Sequence, residues 1–228
     1  MLSALWDLLF PPRCLFCRQR LAANTILCSH CRLQVLEISR CCSLCGYPFP
    51  ARSNGNCPRC SGQKFLFAHT CAVGLYAGQL KEAIRRYKYG GRTEMAAGFG
   101  KLLAQQITKC NWPHLDAVVP IPLHPQKLRQ RGFDQAVLLA EVVAKELALP
   151  LKKSLRRCRD TVSQTQLSAA ERRRNLEDAF SAVQAGQMPK KILLVDDLLT
   201  TGATANNAAK ALLAGGAEKI YLAVLGRS

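Results

Sequence analysis

The sequence predicts an α/β protein in which helices flank a parallel sheet and a small cysteine-rich module precedes it. Two observations support this prediction. After about residue 68, short apolar runs alternate with amphipathic helical segments, an order typical of a parallel sheet with helices on both faces. Before that point the chain holds most of its cysteines, ten of the twelve lying within the first 71 residues. We therefore divide the 228 residues into a module of residues 1–67 and a domain of residues 68–228.

The elements of the second region follow from the spacing of its apolar residues. Leu80, Ile84 and Tyr87 recur at the spacing of one helical face, and two glycines then end the predicted helix. The same reasoning predicts helices over residues 79–89, 94–107, 132–147 and 202–213. It predicts strands over residues 70–76, 116–120, 190–196 and 219–225. Ligands of such sheets bind at the carboxyl ends of strands, so the residues that follow these strands are candidates for a site.

The cysteines of the first region form four C-x-x-C pairs, and two such pairs complete a tetrahedral zinc site. The eight predicted ligands of two structural zinc ions are Cys14, Cys17, Cys28, Cys31, Cys42, Cys45, Cys57 and Cys60. Sequential pairing is the simplest arrangement, with interleaved pairing and ligation by Cys41 in place of Cys42 as alternatives. A module of this size has little core, so each metal would supply about 10 kcal/mol or more of folding free energy.

Two other uses of these cysteines compete with zinc binding. A disulfide framework requires an oxidising compartment, whereas this chain is expected in the reducing cytoplasm. Its first residues lack the basic start of a secretory signal, and no apolar run reaches the roughly 18 residues of a membrane span. A redox-active C-x-x-C motif would instead occur as one pair on a βαβ unit.

The charge of the chain indicates a polyanionic partner. Its 32 Lys and Arg residues exceed its 15 Asp and Glu residues, which gives a formal net charge of +17. That excess is larger than one small polyanion needs, and it favours nucleic acid over an anionic membrane surface. A generally basic, well-solvated surface is the alternative.

The stretch ILLVDDLLTTGATA, residues 192–205, has the order of an anion site. A buried strand is followed by Asp196 and Asp197, then by a threonine-rich loop that opens a helix. Free N–H groups and the positive end of the helix dipole attract an anion, and Gly202 lets the backbone approach it. The two carboxylates suit sugar hydroxyls or a metal. A buried strand that merely ends in polar residues is the alternative.

Two further basic segments are candidates for ligand contact. Residues 119–135 follow a strand and form a rigid proline-rich turn that brings Lys127, Arg129 and Arg131 together, suited to a diphosphate or nucleic acid. A solvated basic helix start is the alternative. Residues 156–175 have the polarity and weak periodicity of a mobile loop over a site, or of an ordinary charged loop.

The stretch around Asp196 closely resembles the phosphoribosyl-diphosphate (PRPP) signature of type I phosphoribosyltransferases. The resemblance implies that Asp196 and Asp197 contact the ribose hydroxyls, with Mg²⁺ beside the diphosphate. It also implies a cradle for the 5′-phosphate, formed by Thr200, Thr201, Gly202, Ala203 and Thr204.

Several motifs in order extend the resemblance over the whole chain: the cysteine-rich head with its LFPPRC entry, KYGG, RGFDQ, the TxxQxxLS…RxxN loop and VDDLLTTGAT. They are similar to those of the ComF, or GntX-like, family, which implies a double zinc ribbon fused to a type I phosphoribosyltransferase fold and a link to bacterial competence. The carried-over residues are Lys88, Tyr89, Arg131, Gly132, Phe133, Gln135, Gln164, Arg172 and Asn175. Asp134 departs from the family's usual Asn, and an ionised carboxylate only accepts hydrogen bonds.

Two functions of different class follow from this sequence. The favoured one is a PRPP-binding protein that acts in DNA uptake, binds single-stranded DNA and works with protein partners of the uptake system. Stacking of bases there would need aromatic side chains, for which Phe65, Phe67, Tyr76, Tyr87 and Tyr89 are candidates and core packing the alternative. The other is an active phosphoribosyltransferase with an unknown acceptor, in which Asp196 and Asp197 are candidate catalytic residues. Cations that would contact diphosphate or nucleic acid are Lys88, Lys127, Arg129, Arg131 and Arg172.

Overall fold

A four-stranded parallel sheet forms the centre of the protein in this computed structural model, which describes residues 12–21, 25–49, 57–158, 179–183 and 186–228. The strands of the described residues are β1 (His69–Leu75), β2 (Ala117–Pro120), β3 (Leu155–Arg157), β4 (Phe180–Ala182), β5 (Lys191–Leu199) and β6 (Lys219–Arg227). The parallel sheet has the order β1-β6-β5-β2, and β3 pairs with β4 in a separate antiparallel ladder.

Helices cover both faces of the sheet, as the sequence predicts. The helices of the described residues are α1 (Ser29–Arg32), α2 (Gly78–Tyr89), α3 (Met95–Ile107), α4 (Pro125–Arg131), α5 (Gln135–Glu146) and α6 (Ala203–Ala214). Leu193 and Tyr221 pack with α2, α3 and α5 on one face. Leu194 and Leu222 pack with α6 and the β3–β4 ladder on the other. Both faces of the sheet are therefore buried, which explains why its strands are almost continuously apolar.

Three elements differ most from the sequence prediction. Strand β5 continues beyond Asp196 because Leu198 and Leu199 still pair with β6. The predicted helix over residues 132–147 begins only at Gln135, because Gly132 has a left-handed φ of 80° and ends the preceding helix. That preceding helix, α4, replaces the predicted rigid turn at Lys127, Arg129 and Arg131.

No helix in the part of the chain that the structure describes is long and apolar enough to cross a membrane.

Candidate functional site

The acidic pair of β5 meets the last turn of α2. The Lys88 ammonium lies 2.7 Å from the Asp197 carboxylate, and the two side chains are only 14% and 12% exposed. Burial by itself would lower the pKa of Lys88, but the Asp197 carboxylate outweighs it and raises that pKa. The structure therefore joins the KYGG and VDD motifs through one largely buried ion pair.

Asp196 has a different environment from its neighbour. Its carboxylate accepts a hydrogen bond of 2.8 Å from the backbone N–H of Asp197, and its side chain is half-buried. Burial, followed by the nearby Asp197 charge, raises the pKa of Asp196 to about 8. A carboxylate held this way is poorly solvated in its ionised form, so a partner that donates hydrogen bonds or carries positive charge would stabilise it.

The RGFDQ motif lies beside the same end of α2. Arg131 donates to the side-chain oxygen of Gln135, and its guanidinium lies 4.9 Å from the ring centre of Tyr89. The buried Tyr87 hydroxyl donates to the backbone carbonyl of Gln135 at 2.8 Å. Three motifs that are distant in the sequence are thus neighbours around the carboxyl ends of the sheet.

Asp134 caps helix α5. One carboxylate oxygen accepts from the N–H groups of Ala136 and Val137 at 3.0 and 3.2 Å, and the other accepts from Leu123 at 2.7 Å. Burial raises the pKa of Asp134 despite these three donors. Every one of these bonds uses the side chain as an acceptor, a role that either a carboxylate or an amide oxygen can fill.

The threonine-rich segment, residues 200–204, forms a loop at the N-terminus of α6. Thr200 and Thr201 are exposed, whereas Gly202 is buried with a left-handed φ of 84°. The Thr201 hydroxyl accepts a 3.4 Å hydrogen bond from the N–H of Ala203. The loop offers hydroxyls and helix N–H groups to an anion, and we call it the phosphate loop.

The eight paired cysteines form two sequential groups. The first group is Cys14, Cys17, Cys28 and Cys31, and the second is Cys42, Cys45, Cys57 and Cys60, with the sulfurs of each group within 4.8 Å of one another. Three sulfur pairs lie at 3.7 Å. A tetrahedral zinc with bonds of about 2.3 Å places its sulfurs about 3.8 Å apart, so both groups fit a structural Zn²⁺. Cys41 instead donates to the carbonyl of Glu37.

The second cysteine group, with residues 41–49 and 57–66 around it, forms a ribbon that contacts the phosphate loop. The buried Arg227 donates to the Cys45 carbonyl at 2.8 Å and to the carbonyls of Leu199 and Thr200 at 3.1 and 2.6 Å. Sequence reasoning missed Arg227, because a lone basic residue at a strand end gives no signal of burial. We call this element the second ribbon, and residues 12–21 and 25–35 around the first group the first ribbon.

A basic cleft of about 420 Å³ lies between the first ribbon and helix α3. Its cationic lining residues are Arg13, Arg18, Arg86, Arg92 and Lys101. Glu94 is the one carboxylate among the described residues of this lining, and it lies 3.4 Å from the Arg92 guanidinium. Leu15, Ile26 and Met95 add apolar surface to the lining. Such a cleft combines the charge that attracts phosphates with surface on which a base can pack.

The remaining predicted contact residues are placed differently. On α4, Lys127 is half-buried and Arg129 is exposed, whereas Arg131 donates to Gln135 of the RGFDQ motif. Gln164, Arg172, Asn175 and most of the predicted loop lie outside the described residues. Of the aromatic candidates, Phe67 and Tyr87 are buried in the core, whereas Tyr89 is 74% exposed.

Comparisons with known proteins give the same two-part organisation. A double zinc ribbon domain model matches residues 5–61, and a phosphoribosyl transferase domain model matches residues 134–227. The chain is 32% identical over 224 residues to Competence protein F of Haemophilus influenzae, covering 95% of this chain and 97% of that protein. It is 31% identical over 226 residues to DNA utilization protein YhgH of Escherichia coli K12, covering 96% and 98%.

A solved structure of the allosteric regulatory enzyme of purine biosynthesis aligns with 62% of this chain and 30% of its own, at 21% identity and a TM-score of 0.43.

Proposed function

Since this chain belongs to the ComF family, we propose that it is a PRPP-binding protein of DNA uptake that also binds single-stranded DNA. Its relatives are named for competence and for DNA utilization, and a phosphoribosyl transferase domain model matches its C-terminal part. The observation that carries the PRPP assignment is the largely buried Lys88–Asp197 pair beside the phosphate loop.

In this proposal the acidic pair and the phosphate loop bind different parts of PRPP. Asp196 and Asp197 accept hydrogen bonds from the ribose hydroxyls. The 5′-phosphate lies against the hydroxyls and N–H groups of residues 200–204, where its charge faces the positive end of α6. Mg²⁺ would neutralise diphosphate oxygens when bound, and Lys88 and Arg131 supply fixed positive charge at the carboxyl ends of the strands.

Heat protection by PRPP tests this assignment. With Mg²⁺ and PRPP at about 100 times the dissociation constant, binding adds about 2.7 kcal/mol to the free energy of unfolding, a rise in Tm of about 5–10 °C. The Asp196→Ala/Asp197→Ala double variant should lose this shift. Glu218→Ala, which removes an exposed carboxylate paired with Lys190, is the control and should keep it. Absence of a shift in the wild-type protein would show that the loop does not take PRPP.

A second measurement separates binding from catalysis. Diphosphate release from PRPP is followed with a panel of purine and pyrimidine bases and amines as acceptors. We expect none of these acceptors to raise release above the rate of the Asp196→Ala/Asp197→Ala variant. Release that depends on one acceptor and on these carboxylates would establish the enzyme instead, with that compound as its substrate.

The proposed DNA contact is the basic cleft beside the first ribbon. Arg13, Arg18 and Lys101 are exposed there, and the described residues of the lining include five cations and one carboxylate. Phosphate contacts of this kind dominate affinity for nucleic acid and make it depend on salt. The net charge of +17 exceeds what a PRPP site needs, which supports a second, larger polyanion as partner.

Two matched lysines test the position of the DNA. Lys101 lies in the cleft on α3, and Lys145 is exposed on α5. Lys101→Glu should weaken binding of single-stranded DNA about fivefold and reduce the magnitude of the log–log salt slope by about 0.7, the value for one phosphate contact on a single strand. Lys145→Glu should leave both nearly unchanged. Equal weakening by the two variants would indicate a diffuse charge effect and contradict the cleft.

We also propose the division into residues 1–67 and 68–228 and a cytoplasmic location. Strand β1 begins at His69, directly after Phe67 enters the core of the sheet, which supports the boundary. Two sets of four thiols suited to zinc are stable as ligands in a reducing compartment.

A further inference from the structure

We infer that the second ribbon holds the phosphate loop in its binding conformation, so that zinc at the second cysteine group and an anion in the loop favour each other. The inference rests on the proposed PRPP site and adds a regulating element to it. Three side chains from separate parts of the chain make the connection: Arg227 at the end of β6, Asn206 in α6 and Phe65 in the ribbon.

Arg227 links the two elements through backbone atoms. It is only 4% exposed, and its guanidinium donates to the backbone carbonyls of Cys45, Leu199 and Thr200 and to a main-chain oxygen of Ser228. Donation to Leu199 and Thr200 fixes the path of the chain where β5 becomes the loop. The guanidinium also places positive charge directly against the backbone at the start of the loop.

Asn206 connects the first turn of α6 to the ribbon. Its amide oxygen accepts from the N–H of Leu66 at 2.7 Å, and its amide nitrogen donates to the carbonyl of Lys64 at 2.9 Å. These two bonds fix the orientation of the helix start, whose N–H groups face the proposed phosphate. Asn207, the next residue, lies instead beside Phe180 and Ala182 at the β3–β4 ladder.

Phe65 covers the loop at its glycine. A Cβ placed on Gly202 would lie 2.6 Å from Cε1 of Phe65, so the ring occupies the space that any larger residue would need. Phe65 also stacks on Phe67, with ring centres 4.7 Å apart, and packs against the second cysteine group. The ring therefore connects the metal-binding part of the ribbon to the left-handed residue of the loop.

Zinc would influence the phosphate loop through the ribbon residues that it holds in place. The Cys45 carbonyl belongs to a zinc ligand, and Phe65 packs on the same group of four cysteines. If ligation keeps these atoms in place, loss of the metal releases Arg227, Phe65 and, with them, the loop. Coupling between two sites is reciprocal, so an anion bound in the loop must tighten the binding of this zinc by the same free energy.

The test compares two neighbouring asparagines in the intact, zinc-loaded protein. Asn206→Ala should weaken PRPP binding about tenfold and speed amide exchange across residues 199–206, because it removes the two bonds to the ribbon. Asn207→Ala makes the same change in helix propensity and should alter neither. Arg227→Met should act like Asn206→Ala, and Arg227→Lys, which keeps the charge and some donors, should be milder.

The outcomes separate this inference from the PRPP assignment. Tight PRPP binding and slow loop exchange in both Asn206→Ala and Arg227→Met would overturn the inference and leave the PRPP site intact. If the wild-type protein does not bind PRPP, the proposed function fails, and loop exchange alone decides whether the ribbon holds the loop. Equal effects of Asn206→Ala and Asn207→Ala would also overturn it, since only Asn206 reaches the ribbon.

Discussion

The two ribbons are attached to the rest of the protein in the same way but at different places. In each ribbon, a backbone carbonyl at or next to a cysteine accepts a hydrogen bond from an arginine outside the ribbon. Arg86 of α2 donates to Leu15 and Phe16 in the first ribbon, and Arg227 of β6 donates to Cys45 in the second. Among the described contacts, only the second arginine also donates to the phosphate loop, at Thr200, and to Leu199 at the end of β5.

The packing of the two ribbons differs more than their attachment. In the first ribbon, Cys14, Phe16 and Cys31 belong to the large core beneath α2 and α3. In the second, the four cysteines form a small cluster of their own, bordered by Leu44, Tyr47, Phe49 and Phe65. The first ribbon is therefore part of the main core and borders the basic cleft. The second is a small unit around four thiols, tied to β1 by Thr70, to α6 by Asn206 and to the phosphate loop by Arg227.

The largest test of this difference removes one ligand from each ribbon. Cys28→Ser and Cys57→Ser are matched, since each replaces the first thiol of a second C-x-x-C pair, and each should lower zinc from two to one per chain. Loss of zinc from the second ribbon removes its coupling to the loop, so Cys57→Ser should weaken PRPP binding about tenfold or more, whereas folded Cys28→Ser protein should keep it within about threefold. Zinc analysis and PRPP calorimetry measure both. Equal loss of PRPP affinity would mean that the ribbons do not differ in this way.

A second comparison uses one phenylalanine from each ribbon. Phe16 is fully buried, with its ring 6.3 Å from that of Phe99, so Phe16→Ala should cost about 3–5 kcal/mol of unfolding free energy without weakening PRPP binding to the folded protein. Phe65 is half-buried. Phe65→Ala should cost only about 1 kcal/mol, yet weaken PRPP binding about fivefold, because Gly202 loses its cover. Urea unfolding and PRPP titration check the pair, and a reversed pattern would contradict it.

The smallest expected effect is on stability, and it comes from the ionisation of Asp196. The folded protein raises the pKa of Asp196 to about 8. This residue therefore destabilises the folded state at pH values above the ordinary carboxyl pKa, and it has no such effect below that pKa. Asp196→Asn removes this destabilisation. Its Tm should therefore match the wild-type Tm near pH 4 and exceed it by about 2–4 °C near pH 8. That rise corresponds to about 1 kcal/mol, well below the full cost of the raised pKa, because water partly screens the half-buried side chain. Thermal melts across this range would contradict the assignment if the difference stayed constant with pH.

Sequence reasoning found the features that depend on local spacing. A C-x-x-C turn places two thiols by itself, and VDDLLTTGAT places two carboxylates beside a helix start within one short segment. The connections that differ between the ribbons could not be found this way. Arg227 and Cys45 are 182 residues apart, and Asn206 and Lys64 are 142 apart, so nothing in either local pattern indicates the other. Pro120, Pro122 and Pro125 favour the predicted rigid turn in this segment. The structure agrees instead with the alternative of a basic helix start, since α4 begins at Pro125.

The release of zinc in the presence of PRPP tests the central claim most directly. Zinc transfer from the wild-type protein to a chelator is followed with and without Mg²⁺ and PRPP, and Cys28→Ser and Cys57→Ser identify the site from which each phase arises. We predict that PRPP slows release from the second cysteine group about tenfold and leaves the first unchanged. Equal slowing of both phases, or of neither, would contradict the claim that the second ribbon and the phosphate loop act as one site.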